Sequence, residues 1–390
     1  MPRLAEAMSR LGTETAFEVL SRAKQLEAQG KEIIHLEIGE PDFDTPRNIV
    51  EAGKRALDEG WTHYGPSAGL PEFCALIAQS MAARGGAYDA ENVVVTPGGK
   101  PIMFYVMLAV LDAGDEALYP NPGFPIYESV IQYLGAKAVP LALRQENDFR
   151  LDLDELKDKL SPKTKLLVLN TPQNPTGGVL PPEDIQAIAA MLQEYPDVWV
   201  LSDEIYSQLL YEGRHASIAA EPGMRERTVI LDGFSKTYAM TGWRLGYGVM
   251  PTELANWVSR LATNCNSCTA SFVQRAGMEA LSGPQDAVAE MKAEFQKRRD
   301  HLVKGLNAID GVDCVLPHGA FYVFPDVRGV GRPSRELAKS LLDDYGVAAL
   351  SGNAFGKFGD GHLRFSYANS MENLSKALER IHDCVRALVS

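Results

Sequence analysis

Short apolar, β-rich runs alternate with helical patterns through the middle of this chain, and that alternation limits the fold more than any other feature. The runs fall at 92–96, 116–119, 137–141, 165–170, 198–202, 228–231 and 245–249, with helical patterns such as 100–111, 122–134, 152–160 and 182–195 between them. A strand, a helix and a second strand connect by a right-handed crossover, so repeated units build a mostly parallel sheet covered on both faces. Strands buried on both faces lose their in–out alternation and become continuously apolar. LLVL at 166–169 and VWVL at 198–201 have that character. The expected fold class is therefore α/β, with a mostly parallel seven-stranded sheet in a large domain spanning 47–283.

After Gly283 the pattern changes. A long charged helix over 284–309 is followed by strand-like AFYVF (320–324), a helix over 334–345, strand-like HLRFSYA (362–368) and a last helix from Met371. This reads as a smaller α+β domain over 284–390. Residues 1–46 carry one helix, at 15–29, and an extended segment; they are too few for a domain and are expected to join the small domain as an N-terminal arm.

Charge and composition exclude several classes. With 38 basic and 51 acidic residues the net charge is −13, and no block of Lys or Arg interrupts it. Such a surface repels nucleic-acid phosphate and anionic lipid, so neither is an expected partner. The N-terminal stretch lacks the pattern of a signal peptide. The most apolar region, 102–111, is too short to cross a bilayer and reads as a buried helix. A cytoplasmic location is expected. Five scattered cysteines include one CxxC, Cys265 and Cys268, with no second pair near it, so buried thiols are expected and no metal site.

In a sheet of this kind ligands bind beyond the carboxyl ends of the strands. Pro97-Gly98-Gly99-Lys100 follows the first run and opens a helix, where exposed N–H groups favour an anion. Asn174 and Gly177-Gly178 follow the fourth run, Asp203, Glu204 and Tyr206 the fifth, and Ser235-Lys236 then Gly242-Trp243-Arg244 the sixth. Each alone reads as a turn, a cap or a surface charge. Together they bring a phosphate cradle, an amide, a carboxylate, a phenol, a lysine and an arginine to one edge.

In order along the chain, IGEPDFDTP, HYGPSAGLPE, VTPGGK, NTPQNPTGG, SDEIY, SKTYAMTGWRLGY and HLRFSYA resemble the fold-type I, pyridoxal-5′-phosphate-dependent aminotransferases of class I/II, closest to the aspartate aminotransferase branch. The resemblance covers nearly the whole chain. It implies a ping-pong transfer of an amino group from an L-amino acid to a 2-oxo acid, of the aspartate, glutamate and 2-oxoglutarate type. It also implies roles. Lys236 would join the cofactor aldehyde and shuttle the substrate proton. Asp203 would keep the pyridine nitrogen protonated, and Asn174 and Tyr206 would donate to the ring oxygen. Phe124 would stack on the ring. Gly98, Gly99, Lys100, Ser235, Arg244 and Tyr64 would hold the phosphate, Tyr64 from the neighbouring subunit of a homodimer. Arg364 would fork onto the substrate α-carboxylate, helped by Gly39 and Asn174.

Two points depart from a simple match. Gly233 stands where many relatives carry a hydroxyl that touches the phosphate, so that contact is missing or taken over by Ser235. Lys100 is placed to meet the second carboxylate of a dicarboxylic substrate, yet Glu14 and Phe17 would suit a hydrophobic or basic side chain. A β-lyase, decarboxylase or oxidase on the same cofactor shares the early chemistry. A non-catalytic sensor is disfavoured, because about 45 residues before the large domain leave no room for a DNA-binding module. GWRLGYG lacks the GxGxxG spacing of a dinucleotide site.

Overall fold

The computed structural model describes residues 2–84 and 86–389. Seven strands form the main sheet: β1 (Val93–Thr96), β2 (Glu116–Asn121), β3 (Lys137–Ala142), β4 (Thr164–Asn170), β5 (Trp199–Asp203), β6 (Thr228–Gly233) and β7 (Gly246–Val249). Their spatial order is β1-β7-β6-β5-β4-β2-β3, and only β7 runs against its neighbours. The carboxyl ends of β1, β2, β4, β5 and β6 therefore share one edge. Arg244 lies just before β7 begins, so the reversed strand delivers it to that same edge.

Side-chain alternation along β4 shows why the strands read as continuous apolar runs. Leu166 and Val168 pack with Ile102, Val106 and Val258 on one face. Leu167 and Leu169 pack with Ile185, Ile188 and Leu192 on the other. Helices cover both faces, and from Leu166 to Asn170 every side chain of the strand is buried.

The chain after Gly283 packs three long helices, Asp286–Leu306, Ser334–Asp343 and Met371–Val389, on a three-stranded antiparallel sheet. Its strands are β8 (Tyr322–Val323), β9 (Leu350–Ser351) and β10 (Leu363–Ser366), in the order β9-β10-β8. Its core takes in Tyr206, Leu209 and Tyr211 from the segment after β5, which locks the second unit over the sheet edge.

Three expectations shift. The helix expected over 122–134 begins only at Ile126, since Pro122 and Gly123 keep the first residues in a loop after β2. The strand expected over 320–324 shrinks to two residues, because Ala320 takes a left-handed φ of 57°. The N-terminal arm touches both units. The helix Ala16–Ala28 packs Ala23 and Leu26 on Leu342 and Ala348. The turn before it lies on the large sheet's helix, where Arg10 Nε donates to Gln132 O at 3.0 Å and Gly12 N to Ser129 Oγ at 2.9 Å. No helix among the described residues is long and apolar enough to cross a membrane.

Candidate active site

A cleft of about 440 Å³ opens between the carboxyl edge of the sheet and the C-terminal unit, and most of the residues singled out from sequence line it. The strand ends build one wall. After β1 the chain turns at Gly98 (φ 90°) and enters the helix Lys100–Val110, leaving first-turn N–H groups without intrahelical partners. The turn is closely wrapped. A Cβ on Gly98 would collide with the Arg244 guanidinium, and one on Gly246 with the Gly98–Gly99 peptide. Arg244 itself takes a left-handed φ of 54° and is held there by Nη1 donating to Thr241 O at 2.6 Å. Gly99, Lys100, Ser235 and Arg244 line the cleft, whereas Gly98 supports Arg244 from behind. Helix-end amides, a hydroxyl and a guanidinium make an anion cradle.

Asp203 ends β5, paired with Asn170 at the end of β4. Tyr127 Oη donates to its Oδ2 at 2.6 Å and the Ile205 N–H to its Oδ1 at 3.2 Å. Burial pushes the carboxyl up to about 6, although both hydrogen bonds oppose the shift. Among the described residues no cation pairs with it, so an incoming protonated nitrogen would supply the missing counter-charge. Tyr127 escaped the sequence reading. The available signal was its i+3 spacing from Phe124, and the two rings meet edge to face at 5.7 Å.

Lys236 follows β6, and its ammonium donates to Gly39 O. Burial lowers this amine to about 8, with Arg364, Arg244 and Lys100 adding to the effect and Glu40 opposing it. At neutral pH such a lysine is free base part of the time, as a nucleophile and proton carrier requires.

The C-terminal unit builds the facing wall. Arg364, on β10, is buried and spans Asn174 Oδ1 (3.1 Å from Nη1) and the Glu37 carbonyl (from Nη2). Its guanidinium lies 4.6 Å from the Tyr322 ring centre and 4.9 Å from that of Phe355. Its Nε is buried with no protein partner. Buried donors are normally satisfied, so this one marks the place of a ligand oxygen. Asn174 is fixed by its N–H donating to Asn170 Oδ1 at 3.0 Å. Tyr206 and Tyr322 share a hydrogen bond at 2.8 Å. Tyr322, also missed from sequence, lies so close to Gly39 that no side chain fits there.

The remaining calls fall as follows. Lys100 forms an ion pair with Glu14, and its ammonium sits 5.3 Å from the Phe124 ring centre. Phe17 lines the same end of the cleft. Tyr64 does not line this cleft and is 89% exposed. At Gly233 a Cβ would meet Gly246 Cα at 3.0 Å and Leu245 O at 3.1 Å, so a side chain there needs the neighbouring backbone to give by a few tenths of an ångström, and Ser235 lines the cleft.

Pyridoxal phosphate needs an anion cradle, an amine of lowered basicity, a carboxylate for its ring nitrogen and a flat apolar contact. The glycine turn closed to any Cβ, Lys236, the cation-free Asp203 and Phe124 answer each need around one cleft, so the residues present fit the group. The chain matches the family described as "Aminotransferase class I and II" over residues 31–381. It is 41% identical to the aspartate aminotransferase of Pyrococcus horikoshii across 97% of this chain and 96% of that one. It is 39% identical to aromatic-amino-acid aminotransferase 2 of Thermococcus litoralis across 92% and 93%. The solved structure of Thermus thermophilus aspartate aminotransferase with maleate superposes with a TM-score of 0.94 at 36% identity, covering 98% of this chain and all of that one. A match of this length, on a cleft with this chemistry, means that the chain belongs to the class I and II aminotransferases and works with pyridoxal phosphate.

Proposed function

We propose that this aminotransferase moves the amino group of aspartate or glutamate to a 2-oxo acid such as 2-oxoglutarate, in two half-reactions in one cleft. The observation that carries the reading is the Arg364 fork, buried, clamped between aromatic rings and left with an unpaired Nε. An α-carboxylate supplies the two oxygens such a fork takes, a geometry lysine cannot copy. When bound, pyridoxal phosphate supplies an electron sink that acidifies the Cα–H bond. The chain supplies the rest. Lys236 holds the cofactor and moves the proton at Cα. Asp203, oriented by Tyr127, keeps a proton on the ring nitrogen. Asn174 and Tyr206 donate to the ring oxygen, Phe124 covers the ring, and Gly99, Lys100, Ser235 and Arg244 hold the phosphate. Gly39 assists at the carboxylate.

The working unit is a homodimer, in which the exposed Tyr64 enters the cleft of the second copy. Exposed Leu4, Phe17 and Trp257 support a covered surface. The chain divides into a large domain (47–283) and a small domain (1–46 with 284–390); the core that gathers Leu302, Phe321, Leu341 and Leu374 supports the second. Five free cysteines suit a reducing cytoplasm.

Lys100 is the cation that would meet a second substrate carboxylate, exchanging Glu14 for it. A second reading, neutral or aromatic substrates, is favoured by the same pair: with Glu14 in place the distal end carries no net charge, and Phe17 and Met103 line it. A screen of amino donors against 2-oxoglutarate separates the two. The dicarboxylic reading expects the highest kcat/KM for aspartate or glutamate and fails if phenylalanine or tyrosine exceeds both. Release of ammonia, carbon dioxide or peroxide in place of a new amino acid would assign a lyase, decarboxylase or oxidase outcome.

A further inference from the structure

Two main-chain carbonyls of one extended segment hold the two reactive cations of the cleft: Glu37 O accepts from Arg364 and Gly39 O from Lys236. Main-chain pairing fixes this segment as far as Leu36. Ile34 N donates to Gly346 O (2.8 Å), Leu36 N to Ala348 O (3.0 Å), and Leu36 O accepts from Ser366 N (2.7 Å). Beyond Leu36 the next anchor is the Glu37 side chain. Residues 35 and 37 of an extended segment share a face, and the Glu37 carboxylate, 0% exposed, takes His35 Nδ1 on Oε1 at 2.8 Å. Its Oε2 is buried without a partner. The other His35 nitrogen, Nε2, lies 3.1 Å from Glu27 Oε1 on the helix Ala16–Ala28. Asn369 Nδ2 donates to the His35 carbonyl at 3.1 Å and carries no charge. The titratable groups facing His35 are thus Glu37 on its own segment and Glu27 on the packed helix.

A buried carboxylate is costly without compensating partners. His35 supplies one at Oε1, and the Arg364 guanidinium also feels the Glu37 charge. The Glu37 hydrogen bond raises its imidazole to about 9 against opposing burial, with Glu27 adding to the rise.

We propose that Glu27, His35 and Glu37 form a positioning relay for the substrate-carboxylate site. With His35 charged, the Glu37 side chain stays anchored to it, and its carbonyl and that of Gly39 stay against Arg364 and Lys236. With His35 neutral, the segment loosens and the Arg364 fork loses its alignment. The proposal rests on the reading that Arg364 binds the substrate carboxylate.

The test is calorimetric titration of the holoenzyme with maleate, an unreactive dicarboxylate. His35→Gln and Glu37→Gln are each expected to weaken maleate about tenfold at neutral pH, and the double variant no more than the worse single. The KM for aspartate should rise with them by a larger factor than kcat falls. In the unaltered enzyme the affinity steps down around pH 9; the step vanishes in His35→Gln and moves to lower pH in Glu27→Gln, which keeps its neutral-pH affinity. Lys236 titrates nearby in every variant, so the difference between profiles reports His35. Unchanged affinity in Glu37→Gln, or superimposable profiles for the unaltered and His35→Gln enzymes, overturns the relay. Should His35→Gln fail to fold, an unmoved step in Glu27→Gln overturns it. Arg364→Lys is the control. If it binds maleate normally, the Arg364 reading falls; if it alone loses maleate, the relay falls and that reading stands.

Discussion

Asp203 and Glu204 are neighbours at the end of β5, both buried, yet they face opposite sides of the sheet and carry opposite electrostatics. Asp203, in the cleft, is pushed up to about 6 by burial, with a phenol and an amide as its only donors. Glu204, behind the sheet, is equally desolvated, but His215 (2.8 Å) and Arg84 (3.1 Å) outweigh that and bring it down to about 2, with Ser217 donating at 2.5 Å. Arg84 also reaches Asp232 at 2.5 Å. The far side gives its glutamate partners from within the protein. The cleft side has left a carboxylate, an amine and a guanidinium partly unmatched, a sign of charges reserved for ligands.

The most severe break of that contrast is Lys236→Ala, which removes the buried amine that burial brings down to about 8. Turnover should fall on the order of 10⁵-fold, and borohydride should no longer fix the cofactor to the chain; wild-type turnover would refute the assignment. The neighbouring carboxylates are next. Asp203→Asn should cost on the order of 10³-fold in kcat/KM with little change in urea midpoint. Glu204→Gln should do the reverse, lowering stability by about 3–5 kcal/mol as Arg84 and His215 lose a buried partner, with near-normal kinetics in the protein that stays folded. Equal kinetic losses from both would erase the distinction between the two faces. Arg364→Ala should raise KM for the amino donor, a loss of about 2–5 kcal/mol for a buried charged pair; an unchanged KM would move the carboxylate site. Tyr127→Phe is the mildest. It removes a bond that holds the Asp203 carboxyl down, so Asp203 rises further. Cofactor binding to the apoprotein should weaken as pH falls through about 6, and this limb should shift to higher pH in the variant, with about a tenfold weaker affinity near its midpoint. Superimposable limbs would remove Tyr127 from the cofactor site.

What could be read from sequence follows the same division. Strand ends are local events: a β-rich run stops, and the next few residues land on a known edge. That logic placed Asn174, Asp203, Tyr206, Ser235, Lys236 and Arg244. The motif resemblance added Arg364 and Phe124. It could not place contacts made across long sequence separations. Tyr127 and Asp203 are 76 residues apart, Tyr206 and Tyr322 are 116, and Arg364 and Glu37 are 327. The Glu14–Lys100 pair likewise depends on how the arm crosses the molecule. Gly233 shows the limit of reasoning by motif alone. How closely its backbone approaches Gly246 and Leu245 is set by the pairing of two strands, which no single stretch of sequence encodes.

The aromatic clamp on Arg364 has a stereochemical consequence. Rings of Tyr322 and Phe355 flank the guanidinium while Asn174 and Glu37 tie its two terminal nitrogens, so the fork cannot swivel to suit its guest. Under the roles proposed above, a carboxylate gripped there is held in one orientation. That is one of the three fixed contacts that telling mirror-image substrates apart requires, the others being the held amino group and the direction from which the base reaches the Cα hydrogen.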